Sequence, residues 1–400
     1  MTATEMKLPA EFIARTKALL GDEWDAFEAA LNAESPTSIR LNPFKNGDAV
    51  RQTLPLGGRV PWASNAFYLA ERPVFTLDPL FHAGCYYVQE ASSMSLEDVL
   101  RRQVTEPVRV LDLCAAPGGK STQLSAVLPV GSLLVANEII RSRANILSEN
   151  LTKWGNPHTI VTNNAPAEIG RLGAFFDVVV VDAPCSGEGM FRKDPASIGE
   201  WSVANVQQCA ERQRRIVADV WAALRAGGLL IYSTCTYNRE ENEDNIDHIC
   251  RELGASVVEE PRRFMPHRTK GEGFFIAAMR KEGLAGERLQ GNDKKLKERL
   301  KIVSAGVPPG AMKGKDFIPP HSLAMSCDLL PDAFPRWELD KTTALHFLKA
   351  EALQNVPENL PRGYVLATYL DCPLGFVKNI GTRANNLYPK EWRIRMPLPV

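Results

Sequence analysis

The chain has no apolar run near the ~20 residues that a bilayer span requires, so no membrane partner is expected. Its opening residues, Met1 to Met6, carry neither a basic flank nor an apolar core. No secretory leader is therefore expected, and the cytoplasm is the default compartment. There is no surplus of charge either, since 47 basic residues balance 47 acidic ones. Phosphate binding usually leaves a basic signature, so this balance counts mildly against a nucleic-acid partner, although a neutral total can hide a basic face. None of the eight cysteines (Cys85, Cys114, Cys185, Cys209, Cys235, Cys250, Cys327 and Cys372) forms a C-x-x-C pair. That removes the zinc ribbon, and no metal site is expected. Without a leader the thiols are expected to be reduced, most of them as small buried apolar residues.

What is present suffices for several cores. With 400 residues, 44% hydrophobic and 24% charged, the composition is that of a globular chain of two or three domains. Residues 1–103 read as a separate, mostly helical module. Phe12, Leu19, Leu20, Trp24, Phe27 and Leu31 recur at helical spacing, and short strands and turns follow from Ser38 to Trp62. From Val108 the pattern becomes apolar strand, turn, helix, repeated. Strands are expected at Val108–Leu113, Ser132–Ala136, Thr159–Thr162, Phe176–Asp182 and Leu229–Thr234, with helices at Gly119–Leu128, Ile140–Trp154 and Val206–Leu224. Such alternation predicts an α/β fold, a doubly wound parallel sheet over residues 104–282. Residues 283–335, basic between Arg280 and Lys301 and then rich in proline and glycine, read as a linker with a solvated face. Residues 336–400 close the chain as a compact α+β segment, with a helix at Thr342–Leu353 and strands at Gly363–Leu370 and Gly375–Lys378.

In doubly wound sheets ligands bind beyond the carboxyl ends of the strands, so the residues just past each strand carry the functional reading. After the first strand come Asp112, Leu113, Cys114, Ala115, Ala116, Pro117, Gly118, Gly119 and Lys120. The glycines permit a tight turn into a helix whose free N–H groups suit a carboxylate or phosphate. The spacing is neither the dinucleotide G-x-G-x-x-G nor a Walker loop, which counts against NAD and ATP. Glu138 follows the second strand, where a carboxylate can hold a ribose diol. Together the two suit S-adenosylmethionine (SAM), an amino-acid head joined to a ribose with no phosphate. Strands four and five end in Asp182-Ala183-Pro184-Cys185 and Ser233-Thr234-Cys235, two cysteines on the ligand side of adjacent connections.

The segments Cys114 to Ser121, Asp182 to Gly187 and Ser233 to Tyr237 resemble, in order and spacing, the motifs of the Sun-family (NSUN) RNA cytosine-5 methyltransferases. The likeness covers Ser38 to Ala278. The tail around Gly375 to Gly381 and Asn385 to Lys390 resembles the PUA-like RNA-binding domain of bacterial RsmF-type 16S rRNA methyltransferases. The resemblance implies a Rossmann-like SAM-dependent core, an N-terminal RNA-binding lead-in, and RNA as partner, namely 16S rRNA or the small ribosomal subunit, met by a monomer. It implies that Cys114, Ala115, Ala116, Pro117, Gly118, Gly119 and Lys120 wrap the methionine head of SAM and that Glu138 holds the ribose. Asp182 would lie beside cofactor and base, Cys235 would be the nucleophile, and Cys185 would assist release. One position departs: where the family has an acid near the adenine, this chain has Asn163-Asn164-Ala165, so Asn164 is expected to meet the adenine edge instead.

Carbon 5 of cytosine needs activation, and a thiolate adding at carbon 6 supplies it if N3 is protonated or hydrogen-bonded. Two other readings compete. A DNA cytosine-5 methyltransferase would attack with Cys185, from its Pro-Cys motif. A non-catalytic RNA-binding assembly factor would keep the fold without the chemistry.

Overall fold

The computed structural model describes residues 6–284, 293–314 and 316–398. Four strands, β1 (Ser38–Leu41), β2 (Leu56–Arg59), β3 (Ala66–Leu69) and β4 (Tyr86–Val88), form an N-terminal sheet in the order β2-β3-β1-β4. The central sheet follows, with β5 (Arg109–Asp112), β6 (Leu133–Asn137), β7 (Thr159–Thr162), β8 (Phe176–Asp182) and β9 (Leu224–Thr234). These five run parallel in the order β9-β8-β5-β6-β7. The order reverses at β5, which creates a crevice beyond its carboxyl end. β10 (Ala255–Val257), β11 (Arg262–Phe264) and β12 (Phe274–Lys281) extend one edge antiparallel, and β13 (Ile302–Ala305) extends the other. A hairpin of β14 (Ala311–Lys313) and β15 (Asp316–Ile318) precedes a last sheet of β16 (Arg336–Glu338), β17 (Gly363–Tyr369), β18 (Cys372–Asn379) and β19 (Ala384–Asn386).

The period of two along a strand explains the two faces of the central sheet. Val178 and Val180 of β8 pack with Leu96, Leu100 and Leu124 on one side. Val179 and Val181 pack with Val217, Ile246 and Ile249 on the other. Both faces are covered, which is why β8 reads as an unbroken apolar run. The helix Val203–Val220 begins where the Ser202 side chain accepts a hydrogen bond from Asn205 N, three residues before its expected start. It ends before Leu224, which already opens β9.

The N-terminal region carries its helices around a four-stranded sheet of its own and packs closely on the rest of the chain. Phe12, Trp24 and Phe27 of its helices pack on Phe191, Trp201 and Tyr237, which lie beyond the ends of β8 and β9. Ile39, Leu41 and Phe67 of its sheet share one core with Leu345, Phe347, Val365 and Leu374 from the chain's end. The stretch 283–335, expected as a linker, supplies β13 to the central sheet, and the helix Asp293–Arg299 buries Leu296 against it. Lys294 on that helix is exposed, facing Glu298. The last helix is shorter than expected, Lys341–Leu348, because Ala350 turns out of it with φ +61° and Leu353 instead bridges to Ala384.

Candidate active site

β5 delivers Asp112 to the crevice, and the chain then turns through Gly118, whose φ of +121° only glycine adopts without strain. The first intrahelical bond of Gly119–Val127 runs from Thr122 N to Gly118 O. The N–H groups of Gly119, Lys120 and Ser121 are thus left without a helical acceptor, a cradle for a carboxylate. Asn137 at the end of β6 locks the rim, donating to Leu113 O and Asn164 O and accepting from Thr162 Oγ1 and Asn164 N. Beside it Glu138 is 3% exposed, accepting from Ile140 N at 2.9 Å and lying 3.4 Å from Arg143. A carboxylate held at the pocket wall with spare lone pairs is what a ribose diol requires.

The sequence expectation for Asn164 placed its amide at the adenine edge. Both ends of that amide are engaged in the fold, Nδ2 donating to Glu168 at 3.1 Å and Oδ1 accepting from Lys301 N at 3.0 Å. Asn163 in turn donates to Glu138 O and Ile139 O. The pair therefore shapes the wall and seats the start of β13, and only one amide hydrogen of Asn164 remains for a ligand.

Because β8 and β9 are parallel neighbours in register, Asp182 opposite Ser233, the loops after them meet. Cys185 Sγ and Cys235 Sγ stand 2.9 Å apart, and Cys235 N donates to Cys185 Sγ at 3.4 Å. The contact with Cys235, together with burial, holds the Cys185 thiol well above its ordinary range. Asp182 accepts from Ser233 Oγ at 2.8 Å and pairs with Lys120 Nζ at 2.8 Å. Burial opposes the Lys120 charge, but the carboxylates of Asp182 and Asp112 outweigh it and hold the ammonium above its usual range. Lys120, expected in the cofactor loop, thus sends its side chain across the crevice, where it also lies over the Phe274 ring at 4.9 Å. Burial pushes Asp112 up to about 7 and raises the Cys114 thiol.

Sequence reasoning missed one residue behind the glycine turn. Arg40 of β1 is wholly buried and stacks on Trp154 at 4.6 Å. It donates to Gln89 Oε1, Gly119 O and Thr122 Oγ1. An arginine between two apolar strand residues was the available signal.

Among the described residues no helix is long and apolar enough to cross a membrane, and no cluster of three or more His, Cys, Asp or Glu side chains is arranged to hold a metal ion.

A glycine turn after the first strand, a buried acid after the second and a crevice at the reversal of strand order define a SAM-dependent methyltransferase. Residues 8–91 match the N-terminal domain of 16S rRNA methyltransferase RsmF, 99–280 match 16S rRNA methyltransferase RsmB/F, and 334–394 match the methyltransferase RsmF PUA domain. The chain is 31% identical to ribosomal RNA small subunit methyltransferase F of Enterobacter sp. (strain 638), over 98% of this chain and 97% of that one. It is 30% identical to the protein of that name from Salmonella arizonae, over 98% of each. A solved methyltransferase homolog protein from Pyrococcus horikoshii is 28% identical with TM-score 0.61, over 69% of this chain and 96% of that one. The chain belongs to the family of SAM-dependent 16S rRNA methyltransferases of the RsmF type.

Proposed function

We propose that the chain methylates carbon 5 of a cytosine in 16S rRNA through a transient bond between Cys235 and carbon 6. The observation that carries this reading is the meeting of two sulfurs, 2.9 Å apart, beside the Lys120–Asp182 pair at the mouth of the cofactor crevice. The target nucleotide is single-stranded or flipped out, since its base must reach both thiol and cofactor. The C-terminal PUA domain supplies further RNA contacts.

Bound SAM supplies the methyl group. The glycine turn from Cys114 to Lys120 holds its carboxylate and Glu138 its ribose diol. The Lys120–Asp182 pair shares the proton that N3 needs: Lys120 Nζ gives it up to the Asp182 carboxylate as Asp182 passes one to N3. Cys235 Sγ bonds carbon 6, and the electron pair of the C5–C6 double bond is then available at carbon 5 as N3 is protonated. Carbon 5 forms its bond to the methyl group as the donor's S–CH3 bond breaks. Cys185 takes the carbon-5 proton, the C5–C6 double bond re-forms, and Cys235 leaves as a thiolate while N3 returns its proton. The neighbouring Cys235 sulfur is the first cause of the high Cys185 pKa. Bonding of Cys235 to carbon replaces that thiol contact, which removes the first cause while burial still opposes the Cys185 thiolate, so proton uptake by Cys185 is favoured at the step that needs it.

The test is covalent trapping with SAM and 16S rRNA, as free RNA and as small subunits. Cys185→Ala is expected to accumulate a denaturation-resistant protein–RNA adduct that disappears when Cys235 is also replaced. An adduct that requires Cys185 instead would reverse the roles and favour the DNA-type mechanism. Failure to bind SAM or to form any adduct would favour the non-catalytic reading.

A further inference from the structure

Both sulfurs sit on loops beyond the strand ends, so whatever holds the loops sets the distance between them. Two carboxylates cross between these loops in opposite directions. Glu188, three residues after Cys185, reaches the other loop, where Oε2 accepts from Thr236 Oγ1 at 2.5 Å, Tyr237 N at 2.8 Å and Asn238 N at 2.9 Å. Its Oε1 accepts from Trp201 Nε1 at 3.0 Å. Glu241, six residues after Cys235, reaches back, where Oε2 accepts from Ser186 N at 3.0 Å and Gln213 Nε2 at 2.7 Å. Its Oε1 accepts from Asn238 Nδ2 at 2.8 Å. Asn238 therefore binds both acids, one through its backbone and one through its side chain.

Glu188 is 2% exposed and Glu241 fully buried, and among the described residues neither forms an ion pair with Lys or Arg. Each carboxyl group is held by N–H and O–H donors, Glu188 also lies within the field of Arg263, and burial together with the nearby Glu188 raises Glu241 above its ordinary range. Burying two neighbouring carboxyl groups with no direct ion pair is a costly way to close a loop when neutral side chains would do. What the arrangement provides is direction: a buried carboxylate fixes the several N–H groups that converge on it. One acid fixes the backbone immediately after Cys235, the other the backbone immediately after Cys185.

We infer that Glu188 and Glu241 form a reciprocal clamp in which Glu188 positions Cys235 for attack and Glu241 positions Cys185 for release. The inference rests on the proposed roles of the two cysteines. Both acids are positioning residues, and the clamp assigns them to different half-reactions, whereas a merely structural role would impair both halves alike.

Glutamine is the discriminating substitution, because every partner of Glu188 is a donor and an amide NH2 has to oppose one of them. In a Cys185→Ala background, Glu188→Gln is expected to slow adduct formation with SAM and 16S rRNA by about 10-fold or more, since sub-ångström misplacement of a reacting group has effects of that order. In the same background Glu241→Gln is expected to form adduct at the parent's rate. With both cysteines present, Glu241→Gln is expected to raise the steady-state adduct several-fold and Glu188→Gln to leave it no higher than in the unmodified protein. SAM affinity is expected to stay unchanged in each. Thr236→Val and Gln213→Met, which remove single donors from Glu188 and Glu241, are expected to give the same split at smaller size where the glutamine variants fold poorly. Equal slowing by both substitutions in step with their loss of thermal stability, or no change in either, would overturn the clamp. No adduct in the Cys185→Ala parent would instead overturn the nucleophile assignment, and the inference with it.

Discussion

Replacing Arg40 with Met removes a cation from a wholly buried position behind the cofactor turn while keeping a side chain of similar reach. In the folded chain the guanidinium donates to Gln89 Oε1 at 3.0 Å, Gly119 O at 3.2 Å and Thr122 Oγ1 at 2.6 Å, and it stacks on Trp154. Hydrogen bonds from a charged donor contribute about 1.5–3 kcal/mol each, but burial of the cation offsets much of that and lowers Arg40 to about 9. Stranding Gln89 Oε1 and losing the stack leaves a net loss of about 1–3 kcal/mol in global stability. The local consequence matters more. Gly119 is in the turn proposed to offer its N–H groups to the cofactor, and Arg40 holds that residue's carbonyl. If the turn loosens, SAM affinity is expected to fall about 10- to 100-fold, equivalent to about 1.4–2.7 kcal/mol. Arg40→Lys keeps the charge but loses the fork, so an intermediate loss is expected. Calorimetric titration with SAM, beside thermal melts of the same proteins, measures both effects. Unchanged SAM affinity in a destabilised Arg40→Met protein would refute the reasoning and reduce Arg40 to a fastener between N-terminal and central sheets.

Lys120→Met keeps the backbone N–H that the cofactor turn offers but removes the partner of Asp182. It is expected to lower kcat about 100-fold with little change in the SAM dissociation constant. A large loss of SAM affinity with kcat unaffected would return the side chain to the cofactor. Asp112→Asn tests the raised carboxyl behind the turn. With a folded pKa of about 7 against an ordinary 3.8, the unfolded chain ionises first, so wild-type stability falls as pH rises from about 4 to 7 and the loss is complete above that. The Asn variant lacks this term, so its stability relative to wild type is expected to grow across that window by up to about 4 kcal/mol. Denaturant titrations at pH 5 and pH 8 check it, and a constant difference between the two proteins would refute it.

The chemistry-bearing ends of β5, β6, β8 and β9 were legible because a sheet covered on both faces writes itself as apolar runs, and each run stops at a residue that must face the crevice. The glycine turn was legible because Gly118 adopts a φ that few other residues tolerate. β13 was not, since Ile302–Ala305 is too short and too polar to be told from a linker, and the β7 strand it pairs with lies more than a hundred residues earlier. The partners of Asn164, Glu168 and Lys301, come from elements whose approach no local pattern reveals.

The hardest feature to read was the joining of the modules, and β1 shows why. Its side chains alternate. Ile39 and Leu41 enter the core shared with the C-terminal sheet, while Arg40 grips the cofactor helix and Asn42 donates to Gly84 O and Trp154 O at 2.8 Å each. Ser38-Ile39-Arg40-Leu41-Asn42 alternates with a period of two, which gives one apolar and one polar face. A polar face ordinarily meets water, however, and here both polar side chains are buried, at 1% exposure each. Their partners are mostly backbone carbonyls, which every sequence supplies and which therefore leave no trace in composition. One four-residue strand thus connects the N-terminal sheet, the cofactor helix and the PUA domain. Loosening the shared core is accordingly expected to reach the cofactor turn through Arg40, without any change in a residue that touches cofactor or RNA.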